Sequence, residues 1–211
     1  MDEKQILKIL QQDIHTVIMA TNDQLGNIYT CAMDLMLLED HYLYFLTARG
    51  KSLYQRLITN PKIALTGLKG KDTMSSIAIS LQGEVRKVSN DKLKIIFDNN
   101  PYMKEIYPNQ QARDVLEVFV IDKYTGEYFD LSQKPIYRQS FAYHQKNQVT
   151  KYFINEKCQG CLKCLQVCPQ NCIDSTTLPF TIKQNHCLHC GKCQEVCKYQ
   201  AINKGVDYNE R

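Results

Sequence analysis

Ten cysteines stand in this chain, and eight of them fall into two runs of identical spacing. The first run is Cys158, Cys161, Cys164 and Cys168, followed by Pro169. The second is Cys187, Cys190, Cys193 and Cys197, followed by Lys198. Each reads C-x2-C-x2-C-x3-C, and the second repeats the first at an offset of 29 residues. Soft thiolates at this spacing wrap a cubane [4Fe–4S] cluster: three close cysteines reach three irons of one cube, and the fourth ligates the other cube. The spacing assigns Cys158, Cys161, Cys164 and Cys197 to cluster I, and Cys187, Cys190, Cys193 and Cys168 to cluster II. Structural zinc takes four N/S ligands, usually as paired C-x2-C, and would leave several thiols of each run without a role. Disulfides belong to oxidising compartments. The opening Met1-Asp2-Glu3-Lys4-Gln5 begins an amphipathic pattern rather than a secretory leader, so a cytoplasmic location is expected.

The repeat extends past the ligands, because Cys168-Pro169-Gln170-Asn171-Cys172-Ile173 aligns with Cys197-Lys198-Tyr199-Gln200-Ala201-Ile202. Cys172 falls where the second copy has Ala201, which favours a small buried packing residue; a spare ligand or redox thiol is the sharper alternative. His186 and His189 read as hydrogen-bonding or packing neighbours of cluster II, since eight cysteines already suffice.

The remaining composition excludes other functions. A chain of 211 residues holds one or two domains, and its hydrophobic content of 44% is ordinary for a globular protein. Nothing approaches the ~18 consecutive apolar residues of a membrane span. The formal charge of +4 is cancelled once ligating thiolates outweigh the charge of the cube cores. No Lys/Arg cluster or nucleic-acid motif accompanies it, so neither nucleic acid nor membrane is an expected partner.

The elements that must position these groups are mostly strands. Residues 2–20 read as a helix grading into an extended run, and Thr21 to Asn27 as a turn with Gly26 at positive φ. Ile28–Leu38 and His41–Thr47 read as a hairpin. A short helix over Gly50–Asn60 places Leu53, Leu57 and Ile58 on one face and stops at Pro61. Strands over Ile63–Leu68 and Ser76–Val88 precede a helix over Asn90–Asn100. Val115–Asp122 and Glu127–Leu131 read as strands around a Thr125-Gly126 turn, and Ile136–Tyr143 with Val149–Ile154 as a last hairpin. Antiparallel strands with short helices indicate an α+β, mainly β barrel. The absence of G-x-G-x-x-G excludes a Rossmann nucleotide site. Cysteine distribution places a boundary near 150, with residues 1–148 as one domain and 149–211 as a second, since only Cys31 lies upstream.

Two stretches carry a family resemblance. One is Tyr42-Leu43-Tyr44-Phe45-Leu46-Thr47-Ala48-Arg49-Gly50-Lys51-Ser52, followed by Asn60-Pro61-Lys62-Ile63. The other is Asp23-x-x-Gly26 leading into Ile28–Met33, with Leu81-Gln82-Gly83-Glu84-Val85 as a weaker third. With the order of elements, residues 8–145 resemble the split β-barrel of the pyridoxamine 5′-phosphate oxidase-like flavoproteins, and the C-terminal part resembles a bacterial 2[4Fe–4S] ferredoxin. The barrel resemblance implies FMN at a homodimer interface. It implies a phosphate held by Thr47, Lys51 and Ser52, with Arg49 a further candidate, and Thr30, Cys31 and Gln82 near the isoalloxazine ring. Many members carry Arg-Pro where this chain has Cys31-Ala32. Tyr137, Arg138 and Tyr143 either border the flavin or pack the second half.

The expected function is therefore an iron–sulfur flavoprotein oxidoreductase. It would pass electrons between an external low-potential carrier, two [4Fe–4S] clusters and FMN, and so to or from a small organic substrate. Two alternatives remain: an electron carrier or redox sensor with no substrate of its own, and a haem-binding split barrel joined to a ferredoxin.

Overall fold

The computed structural model describes residues 1–147 and 149–206. The chain divides into two compact units. One comprises residues 1–69, 78–128 and 141–146; the other comprises 70–77, 129–140 and the described residues from 147 onward.

The first unit opens with helix α1 (Glu3–Lys8), whose N-terminus is closed by a reciprocal capping box between Asp2 and Gln5. A π-helical turn (Ile9–Ile14) leads into β1 (Thr16–Asn22). There follow β2 (Ile28–Asp34), β3 (Leu37–Glu39), β4 (Tyr42–Ala48), α2 (Ser52–Thr59), β5 (Lys62–Lys69) and β6 (Ile77–Val88). Short helices α3 (Leu93–Asn99), α4 (Met103–Ile106) and α5 (Gln110–Arg113) precede β7 (Leu116–Asp130) and β8 (Tyr137–Tyr143), of which residues 129–130 and 137–140 are counted with the second unit. The sheet runs β2-β1-β5-β6-β7-β4-β3, with β8 paired to β7. This mostly antiparallel half-barrel with short helices is the split barrel expected from the sequence.

Apolar residues from several elements meet in its core. Met36, Tyr44, Leu46, Val118 and Val120 pack with Ile96, Phe97 and Met103 from the helices. Phe45 and Phe119, opposite each other in the β4–β7 register, stack with ring centroids 5.6 Å apart.

Four local expectations are corrected. The long strand 28–38 is broken at Leu35 and Met36. Its β2 part pairs with β1 from Asn22↔Ile28 to Thr16↔Asp34, leaving only β3 to pair with β4. Ile58 does not share the buried face of α2, being 50% exposed while Leu53 and Leu57 are buried. Gly126 is no turn: β7 runs straight through it for 15 residues. A Cβ there would lie 2.3 Å from Phe141 Cζ and 2.7 Å from Ser80 O, so this glycine serves close approach, as strand-interior glycines often do. Finally, the segment after Gln148, which itself lies outside the described residues, does not pair with β8.

That segment, β9 (Thr150–Ile154), belongs to the second unit and pairs antiparallel with β12 (Ile202–Val206). Between them come α6 (Lys163–Val167), β10 (Ile173–Asp174), β11 (Thr181–Ile182) and α7 (Lys192–Glu195). The sequence repeat becomes a backbone repeat. Gly160 and His189, Leu162 and Gly191, and Asn171 and Gln200 are pairs 29 residues apart, and all six have positive φ. Glycine is required at 191, where an added Cβ would sit 2.8 Å from the Tyr152 hydroxyl. Tyr152, Cys164, Ile173, Phe180 and Ile202 form this unit's core. Among the described residues, no helix is long and apolar enough to cross a membrane.

Candidate functional site

The repeated turns of the second unit gather two sets of cysteines around two hollows. Cys158, Cys161, Cys164 and Cys197 line one hollow, walled by Ile154, Phe180 and Ile202. Cys168, Cys187, Cys190 and Cys193 line another together with Cys172, walled by Tyr152, Ile173 and Leu188. The fourth cysteine of each run thus lies with the first three of the other. No group of three or more described His, Cys, Asp or Glu side chains converges on one point as ligands of a single ion do. A cube asks for a wider set, because each sulfur binds a different iron.

The electrostatics of these walls suit such a group. Burial pushes the Cys164 thiol up, and the Cys193 thiol up to about 11. Thiolates in such surroundings need a compensating cation, which an iron core supplies. Cys187 moves the other way, to about 6: a hydrogen bond from Cys172 pulls it down against burial, helped by the His189 N–H and the charge of Arg138. Backbone amides already point at ligand sulfur. The N–H groups of Cys172, His189 and Ala201 donate to Cys168, Cys187 and Cys197 Sγ, each at 3.4 Å.

Residues outside the cysteine runs complete the surroundings of cluster II. Arg138 Nη1 donates to the Cys187 carbonyl at 3.2 Å. His186 Nδ1 donates to Ile136 O at 2.8 Å, and Ile136 N–H donates to Gln170 Oε1 at 3.0 Å. Tyr137 meets the His186 ring edge-on at 6.2 Å. Sequence spacing carries no signal for residues 136–138, because their part is set by folding of a segment twenty residues upstream of the first ligand.

In the barrel unit, β4 delivers Thr47 to its end with the side chain 2% exposed, and its Oγ1 has no hydrogen-bond partner among the described residues. Buried hydroxyls are normally satisfied, so this one marks a place for an acceptor. A turn follows, closed by Lys51 N–H to Ala48 O at 3.0 Å. It sets Lys51 at the N-cap of α2, which has no side-chain cap, and Ser52 at its first residue. An uncapped helix start beside a lysine and two hydroxyls is the donor set an anionic phosphate takes. The residues present therefore fit the phosphate of FMN.

Arg49 is otherwise engaged. Its Nη1 lies 3.3 Å from Glu117 Oε1, and Lys87 Nζ lies 3.1 Å from Glu117 Oε2. Glu117 is buried and sits opposite Thr47 in the β4–β7 register. Thr30 and Gln82 are exposed on β2 and β6, and Cys31 is half-buried on β2. Burial pushes the Cys31 thiol up, while the nearby charges of Arg56 and Lys51 pull it down. Arg56 is the residue sequence reasoning missed. From α2 its Nε donates to Thr21 Oγ1 at 2.9 Å, and its guanidinium stacks 4.4 Å over the Tyr29 ring. Its position one helical turn after Ser52 was the available signal.

Residues 3–125 match the family model described as pyridoxamine 5′-phosphate oxidase. The chain belongs to that family. Its residues 157–201 match a second model, the 4Fe-4S dicluster domain. A curated relative, the ferredoxin 7Fe of Hydrogenibacillus schlegelii, is 38% identical over 53 residues, covering 24% of this chain and 68% of its own. Among solved structures, a NimC/NimA family protein from Clostridium acetobutylicum superposes with TM-score 0.56 at 18% identity, over 66% of this chain and 90% of that one. A protein from the same organism, related to general stress protein 26 of B. subtilis (pyridoxinephosphate oxidase family), gives 0.51 at 16% identity, over 67% and 96%. These two likenesses are of fold. This family member thus joins a flavin-type split barrel to an iron–sulfur dicluster domain, a combination that points to electron transfer.

Proposed function

We propose that this protein is an iron–sulfur flavoprotein oxidoreductase. It exchanges electrons with an external low-potential carrier through two [4Fe–4S] clusters and passes them to or from FMN and a small organic substrate. The observation that carries the reading is the conjunction, in one chain, of two hollows lined by four and five cysteines with a buried Thr47 hydroxyl, unpartnered among the described residues, just before an uncapped helix start. When bound, the cubes exchange single electrons and the flavin one or two, so together they join one-electron and hydride chemistry.

The chain's own residues bind and orient. The eight cysteines hold the cubes. Thr47, Lys51 and Ser52 hold the flavin phosphate, and Arg56 supplies, from α2, a guanidinium on the side of β2 where Cys31-Ala32 carries none. Arg49, paired with Glu117, positions the turn rather than the phosphate. Thr30, Cys31 and Gln82 flank the ring. The edge strand β2 and its surroundings support the homodimer: Ile28 on β2 is 77% exposed and Leu25 in the preceding turn 86% exposed, with Tyr29 on β2 and Ile18 on the adjoining β1 also exposed, and such a surface is suited to a second copy covering it and the flavin. A cytoplasmic, reducing compartment is part of the same reading.

Anoxically purified protein, denatured and assayed for released chromophore, iron and sulfide, tests it. About one FMN and about eight irons per chain are expected. Irons without flavin would overturn the flavin site and leave an electron carrier, and haem in place of flavin would overturn it equally. In the loaded protein, Cys164→Ala and Cys193→Ala should abolish carrier-driven flavin reduction while flavin stays bound. Normal turnover in either would refute the relay.

A further inference from the structure

One repeated backbone builds both cluster hollows, so a difference between their walls is a difference in side chains on a shared frame. Cys168 and Cys197 occupy matching places, and each receives a backbone N–H four residues on, from Cys172 and Ala201, at the same 3.4 Å. The side chains at those two positions differ. Cys172 is buried and holds its sulfur 3.4 Å from Cys168 Sγ. Ala201, equally buried, has no polar atom to offer.

We propose that Cys172 is a positioning residue that sets the reduction potential of cluster II. It lies outside the eight-ligand set, and when Cys168 and Cys187 ligate as thiolates its single S–H is the proton that these two cluster II sulfurs share. A donor on a ligand sulfur stabilises the added negative charge of a reduced cube more than that of the oxidised one, so it raises the potential. Arg138 pushes the same way, since its guanidinium donates to the carbonyl of Cys187, another ligand of that cube. Two parts of the chain distant in sequence therefore favour the electron on cluster II. An electron entering at either cube comes to rest there, which gives the dicluster domain a direction. This deepens the electron-relay reading and rests on it for that consequence; the potentials themselves are measured on the clusters whether or not flavin is bound.

The test is a reductive titration of the full chain with a one-electron low-potential reductant, followed by electron paramagnetic resonance under anoxic conditions. Wild type, Cys172→Ala and Cys172→Ser are compared, with iron and sulfide assayed on each. Alanine is the residue the second repeat itself carries, so the fold has a template for it. Wild type is expected to reduce in two separated one-electron steps. In Cys172→Ala the upper step should fall by about tenfold in its equilibrium, about 59 mV for one electron, while the lower stays put. Cys172→Ser, which keeps a donor, should retain the separation. Unchanged steps in Cys172→Ala at full iron content would overturn the proposal, as would movement of the lower step alone. Failure of flavin reduction with the potentials shifting as expected would remove the relay and leave this inference standing.

Discussion

Thr47→Val is expected to move stability and flavin affinity in opposite directions. The substitution preserves shape and β-branching at the end of β4 and deletes one hydroxyl. That hydroxyl is buried and has no hydrogen-bond partner among the described residues. An unpaired hydroxyl taken out of water costs about 1–3 kcal/mol in protein mutational data. Removing it should therefore stabilise the flavin-free barrel by about 1–2 kcal/mol. For a chain of this length, each kcal/mol moves the melting temperature by about 2–4 °C. If the hydroxyl donates to the flavin phosphate, the same change deletes a hydrogen bond to a charged group, worth about 1.5–3 kcal/mol. Affinity should then fall about ten- to a hundredfold. The assay is calorimetric melting of the flavin-stripped protein beside fluorescence titration with FMN, for wild type and variant at equal cluster content. A destabilised flavin-free protein would show that the hydroxyl has a partner. Unchanged FMN affinity would remove Thr47 from the phosphate site. Either result refutes the reasoning.

Gly126→Ala should cost about 1–3 kcal/mol in denaturant unfolding, because its Cβ meets the Phe141 ring and the Ser80 carbonyl; a neutral result would restore the turn expected from the sequence. Asp34 is pushed up by burial, yet hydrogen bonds from Thr16 and Tyr102 and the charge of His15 bring its pKa below the ordinary value. A depressed carboxyl stabilises the fold above its unfolded pKa and loses that contribution as pH falls through the folded one. Asp34→Asn should thus cost about 1 kcal/mol at pH 7, discounted for exposure, with the gap closing in acid; a gap independent of pH would refute it. Cys31, its thiol pushed up by burial, should alkylate more slowly at pH 8 than a free cysteine. Arg56→Gln should slow it further by removing a charge that lowers its pKa. Peptide mass spectrometry reads both rates, and a faster rate in Arg56→Gln would refute the assignment.

Sequence alone determined the cluster half. Ligand type and spacing are local, and the 29-residue repeat carries its own turn geometry, so the crossed partition of eight cysteines was legible before any fold was known. The turn between β4 and α2 that carries Thr47, Lys51 and Ser52 was legible as well, because these residues are close in sequence. Tertiary structure alone decided what depends on distant segments. Gly126 reads as a turn until Phe141 and Ser80 are seen pressing on it from other strands. Residues 28–38 read as one strand of a hairpin with 41–47, but β2 pairs with β1. Strand β9 finds its partner in β12, some fifty residues later. Arg138 and Arg56 gained their roles, and Arg49 its pairing with buried Glu117, by the same route. Strand alternation states which face a residue occupies without naming the neighbouring strand, and a charged side chain's partner is fixed only when the sheet closes.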